Sequence, residues 1–156
     1  MKFRYTMTLF TLTAILLGGG VVWANEQAAP VGPKLPPKVR GLLLQEMNAV
    51  SRATHEILDA LIRGEDQVVA ERAQAIHDSF ILKQEMTAED RSALIEAAPE
   101  DFVRRDRAFH QLTGNLAAAA RKSDTPRQQA LFSDMVEACR ACHARYATNR
   151  FPSFRE

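Results

Sequence analysis

The stretch Asp124-Thr125-Pro126-Arg127-Gln128-Gln129-Ala130-Leu131-Phe132-Ser133-Asp134-Met135-Val136-Glu137-Ala138-Cys139-Arg140-Ala141-Cys142-His143-Ala144-Arg145-Tyr146 decides how the chain folds. Asp124-Thr125-Pro126 is a helix-start signal, with a capping side chain ahead of a proline whose missing N–H costs nothing in a first turn. Beyond it Phe132, Met135, Cys139, Cys142 and Tyr146 recur at steps of three and four residues, the period of one helix face. The same period runs backwards through the chain. From about Pro99 to Arg121, Phe102, Phe109, Leu112 and Leu116 share a face, and Pro99 suits a first turn. From Lys38 to Arg63 the series is Leu43, Met47, Val50, Thr54, Ile57 and Leu61, closed by Gly64. Asp66 to about Gln84 carries Val69, Ala73, Ile76 and Phe80. Thr87-Ala88-Glu89-Asp90 resembles a capping box ahead of a short helix over Ser92 to Ala97. No segment alternates with a period of two, and no internal repeat is present. The short Arg63-Gly64-Glu65 corner makes the first two long helices antiparallel neighbours, and the expected fold is all-α, an antiparallel four-helix bundle.

Cys139-Arg140-Ala141-Cys142-His143 is the densest chemical signal in the chain. At positions i, i+3 and i+4 of a helix, the two thiols and the imidazole face one bound group. C-x-x-C-H attaches a c-type haem: the thiols form thioethers with the porphyrin vinyl groups and the imidazole coordinates iron. These are the only two cysteines of the chain. A structural zinc site would need two further ligands, and His55, His77 and His110 have no paired spacing. A thioredoxin-like pair should follow a strand, and nothing strand-like precedes Cys139. A local disulfide, or two small packed side chains, is the plain alternative, and the five-residue pattern in an exported chain favours haem.

Export is read from the N-terminus. Lys2 and Arg4 precede an apolar run from Met7 to Val22, and Val22-Trp23-Ala24 places small residues for cleavage after Ala24. Residues 1–24 therefore read as a secretory signal peptide rather than a retained anchor, and the expected location is periplasmic, since haem c is attached outside the cytoplasm. Cleavage leaves 132 of the 156 residues, and removes two of the 20 Lys+Arg against 19 Asp+Glu, so the mature chain is near neutral. Neither a basic stretch for nucleic acid nor a further apolar run long enough to span a membrane remains. One domain is expected, large enough to bury about two-thirds of its unfolded surface. Residues 25–37, rich in Pro, Gly and Ala, read as an extended leader, 38–150 as the bundle, and 151–156 as a tail.

A bundle of this size with C-x-x-C-H on its last helix resembles the class II cytochromes c, that is, cytochrome c-prime and its low-spin, methionine-ligated relatives. The resemblance runs from about Lys38 to Tyr146. It rests on Cys139 to His143 followed by Tyr146, on Arg40-Gly41-Leu42-Leu43-Leu44-Gln45-Glu46-Met47 opening the first helix, and on Gly64 closing it. It implies one covalently attached haem c, with His143 as proximal ligand. In the high-spin branch the distal side is open to small gases such as nitric oxide. In the low-spin branch a methionine of the first helix binds iron and the protein carries single electrons. Met47 falls where that methionine sits, and the expected function is a non-enzymatic, periplasmic monohaem electron carrier with Cys139, Cys142, His143 and Met47 holding the haem. Its partners would be redox proteins. Dimerisation through the first two helices is common in the family. Two rivals stand beside this reading: a five-coordinate gas-binding module in which Met47 only packs, and a haem-free dithiol protein. Among other candidate ligands, His55 is about 80° around the helix from Met47, Met86 lies in a connection, and Met135 sits on the attachment helix. His77 and His110 read as solvated or hydrogen-bonded. Arg104, Arg105 and Arg107 are candidates for pairing with a haem propionate, and Arg140 and Arg145 for raising the potential or meeting an acidic partner.

Overall fold

The computed structural model describes residues 29–155, so the expected signal peptide lies outside the described residues. Among them every regular element is helical: α1 (Pro37–Arg63), α2 (Asp66–Asp78), α3 (Leu82–Glu85), α4 (Ala88–Ala97), α5 (Glu100–Ala120) and α6 (Thr125–Tyr146), with 3-10 turns at Gly32–Lys34 and Pro152–Arg155. α1, α2, α5 and α6 are the four long helices of the bundle, packed in the series α1 on α2, α2 on α5 and α5 on α6. α1 and α6 stand at the two ends of that series. Among the described residues, no helix is long and apolar enough to cross a membrane.

Local chemistry accounts for most boundaries. Gly64 ends α1 at φ 71°, a left-handed conformation that glycine adopts without strain. Thr87 and Asp90 complete the reciprocal capping box of α4, and Lys38 of α1 reaches Asp90 at 2.5 Å. Asp124 caps α6 by accepting the Arg127 N–H.

The second expected helix is shorter than its period suggests. It stops at Asp78, Ser79 turns to φ 65°, and α3 begins separately at Leu82. The cause lies on α1. Glu46, 1% exposed, accepts the backbone N–H groups of Phe80, Ile81 and Leu82 at 3.1, 2.6 and 3.1 Å. A buried carboxylate outcompetes the carbonyls one turn back for those donors.

The core has two parts. The larger, built from Val50, Ile57, Val69, Ile76, Leu116 and Met135 among others, joins all four long helices. The smaller lies at the end of the bundle that carries the cysteines: Val31, Leu35, Val39, Ala98 and Tyr146, with Leu43, Leu94, Phe102, Val103 and Cys142 packed against it. The segment expected to be an extended leader is thus, from Val31 onward, docked on the bundle. The Val31 N–H bonds the Tyr146 carbonyl at 3.0 Å, and both Val31 and Leu35 are buried.

Candidate functional site

Cys139, Cys142 and His143 lie in the last two turns of α6, all three half-buried, as their spacing demands of one helix face. α6 is anchored below them by Met135 in the main core and by Gln128, whose side-chain amide donates to Asp66 at the start of α2. Above them Tyr146 fixes the helix end. Its hydroxyl donates to Asp101 at 2.6 Å, and its ring meets Phe102 edge to face at 5.3 Å. That hydrogen bond, with the Arg105 guanidinium beside it, holds the Asp101 carboxyl down at about 2.

Both cysteines are free thiols. Burial pushes each up, and Cys142, which also faces the charge of Asp106, reaches about 11. Burial, followed by the nearby positive charge of Arg150, lowers His143, which disfavours its charged form. Asp106 is itself raised, chiefly by burial, with His110 opposing and Glu46 adding to the effect. The site therefore presents two thiols and an imidazole on one helix face, in surroundings that disfavour their charged forms. This donor set fits a haem c. A thiol adds across a vinyl group with no oxidant and no leaving group, and a neutral imidazole is the metal-binding form. It suits a redox dithiol poorly, because thiol–disulfide exchange runs through the thiolate. The zinc alternative finds no support either, since no group of three or more His, Cys, Asp or Glu is placed to hold a metal ion among the described residues.

The other expected residues fall as follows. Met47 is not on the buried face of α1. That face is Val39, Leu42, Glu46, Ala49, Val50, Ala53, Ile57 and Ala60, and Met47 lies at its flank, 37% exposed, one turn beyond half-buried Leu43. The buried face runs through Leu42, Glu46, Ala49 and Ala53, and residue 47 stands about 100° around the helix from Glu46. His55 is exposed and bonds the Ser51 carbonyl at 2.8 Å. Met86 and Met135 are buried. His77 and His110 tie α2 to α5, each through Nδ1 to a backbone carbonyl of the other helix, at 2.6 and 2.7 Å. Of the arginines, Arg104 and Arg105 pair with Asp101, Arg145 lies 3.5 Å from it, and Arg140 pairs with Glu137.

One contact at the site went unread in the sequence. Phe151, in the tail, stacks on the His143 ring with centroids 4.6 Å apart and planes 18° apart. The aromatic pair Phe151 and Phe154 just past the last helix was the available signal.

Searches of curated proteins and of solved structures return no match to the chain. Residues 42–147, from the second turn of α1 to the residue after α6, do match the family model described as Cytochrome C'. The Cys139, Cys142 and His143 face and that match agree: the chain belongs to the cytochrome c-prime family, the class II cytochromes c, and binds one covalently attached haem c.

Proposed function

We propose that this cytochrome is an exported, non-enzymatic carrier of single electrons in which Met47, with His143, would hold the haem iron. The observation that carries the reading is the flank of α1. Leu43 packs against the same cluster as Cys142, and Met47 continues that flank one turn on, offering a thioether that no core contact consumes. Bound there, haem c supplies one-electron iron chemistry. Cys139 and Cys142 would tether it, His143 would hold it through a ring nitrogen, and Leu43, Phe102 and Val103, packed on the same cluster as Cys142, would keep water from the attachment side. A thioether at Met47 favours ferrous iron and raises the potential. The signal-like residues 1–24 support a periplasmic location, and the partners are redox proteins. A second copy would meet an apolar patch on α1, where Leu58 and Ile62 are 44% and 77% exposed.

The exposure of Met47 also favours a second reading, in which the distal side is open and binds a small gas. One variant separates the two. With Met47 as ligand, the parent is low-spin with the weak long-wavelength band of thioether-bound ferric iron. Met47→Ala then turns high-spin, drops in potential and gains reactivity toward carbon monoxide. A parent that is already high-spin establishes the gas-binding reading, and a low-spin spectrum unchanged in Met47→Ala removes Met47 as ligand. His55→Ala, at an exposed site, is the control.

A further inference from the structure

After α6 the chain turns back on the helix. The Ala147 carbonyl accepts the N–H groups of Arg150 and Phe151 at 2.9 and 3.0 Å, and the Phe154 N–H bonds the Phe151 carbonyl at 3.2 Å. This turn lays the Phe151 ring on the His143 ring, 4.6 Å between centroids and 18° from parallel. The Phe154 ring meets Phe151 edge to face at 6.3 Å and 62°. At 38% exposed, Phe151 is too open to be a core residue. An imidazole binds a metal through a lone pair in the plane of its ring. A ring stacked on its flat face leaves the coordinating edge free, while resisting rotation about the Cβ–Cγ bond and keeping water off that face.

We infer that Phe151 is a positioning residue for the proximal ligand: stacked on His143, it fixes the rotation of the imidazole and holds it on the iron. The inference rests on the haem-binding reading of Cys139, Cys142 and His143. It concerns residues 151–154, which lie beyond the matched residues 42–147.

The test uses the full haem-loaded protein with Phe151→Leu and, as the conservative variant, Phe151→Tyr. Two readouts at neutral pH report on the imidazole itself. The pattern of hyperfine-shifted haem methyl resonances follows the orientation of the imidazole plane; it changes in Phe151→Leu and is kept in Phe151→Tyr. Cyanide first takes the position of Met47; replacement of the imidazole by a second cyanide is limited by the detached fraction of His143, and runs about threefold to tenfold faster in Phe151→Leu, the loss expected of one aromatic pair. Phe154→Leu loosens Phe151 without touching His143, so it gives a smaller change in the same direction and serves if Phe151→Leu does not fold. An unchanged resonance pattern and replacement rate in these leucine variants overturns the inference. So does an equal effect of Phe151→Tyr and Phe151→Leu, or a faster replacement that merely tracks a lower urea midpoint. A parent without covalent haem, read by its pyridine haemochrome, overturns the haem-binding reading and this inference together, whereas haem present with an indifferent Phe151 overturns this inference alone.

Discussion

Replacing Glu46 tests how the bundle is held at its second corner. The carboxylate is 1% exposed and accepts three backbone N–H groups, from Phe80, Ile81 and Leu82. A hydrogen bond to a charged group contributes about 1.5–3 kcal/mol. Three such bonds do not simply add, because Glu46→Ala also removes the cost of burying the charge and lets part of the α3 start reach water. The expected loss for Glu46→Ala is therefore about 3–5 kcal/mol. Glu46→Gln keeps an oxygen for Ile81 and Leu82 but turns an amide toward the Phe80 N–H, and should cost about 1.5–3 kcal/mol. Urea unfolding followed by far-ultraviolet circular dichroism reads both, provided the slope with denaturant stays that of the parent. Hydrogen exchange at Phe80, Ile81 and Leu82 should speed up more than exchange in α5. A loss below about 1 kcal/mol in Glu46→Ala, or a Gln variant weaker than the Ala variant, would refute the claim that this carboxylate splits α2 from α3.

Three further outcomes are expected. Cys139→Ala and Cys142→Ala each leave one thioether and the double variant leaves none, so acid-acetone extraction should remove haem from the double variant only in full. Because the Asp101 carboxyl sits at about 2 in the folded protein, below its unfolded value near about 4, its stabilising contribution is complete above about pH 4 and fades as pH falls toward about 2. Tyr146→Phe removes the largest cause of that shift, so its effect on the urea midpoint should be clear at about pH 6 and shrink at about pH 2; an effect independent of pH would show that the hydroxyl acts otherwise. Mass spectrometry of the exported protein should find Asn25 at the N-terminus, and a retained residue 1–24 segment in the membrane fraction would show an anchor instead.

The parts of the fold that were legible in the sequence are those specified by neighbours along the chain. Gly64, the Thr87 to Asp90 box and Asp124-Thr125-Pro126 act within one turn, and the elements they bound begin and end within a residue or so of expectation, apart from α4, which starts at Ala88. The face shared by Cys139, Cys142 and His143 is equally local. The break at Ser79 was not legible, because its cause is a side chain more than thirty residues away. On α1, Val50 and Ile57 are buried as expected and Leu43 and Leu61 pack against the two core clusters, whereas Met47 falls outside. Counting large apolar residues misses Ala53 and Ala60, which share the main core with Val50 and Ile57, and buried Ala49. Small residues let two helices approach closely and carry almost no weight in a hydrophobic periodicity. The Phe151 stack escaped because a ring-to-ring contact past a helix end follows no repeat.

Glu46 and Met47 are neighbours in the chain and about 100° apart around α1, and this adjacency connects the fold to the proposed chemistry. A helix gripped only by alanines and branched side chains has some freedom to roll. A carboxylate bonded to three N–H groups of another segment has little, since a roll that moves its oxygens by an ångström breaks bonds that cannot be remade in a buried site. Glu46 thus fixes the rotation of α1 at the turn where Met47 stands, directing residue 46 into the protein and residue 47 onto the flank it shares with Leu43. If Met47 binds iron as proposed, the sixth position would be governed by a residue that never touches iron. Loosening it through Glu46→Gln should broaden the low-spin spectrum into a mixture of ligated and unligated iron while Met47 itself is untouched, and an unmixed spectrum in that variant would show that the rotation of α1 is set elsewhere.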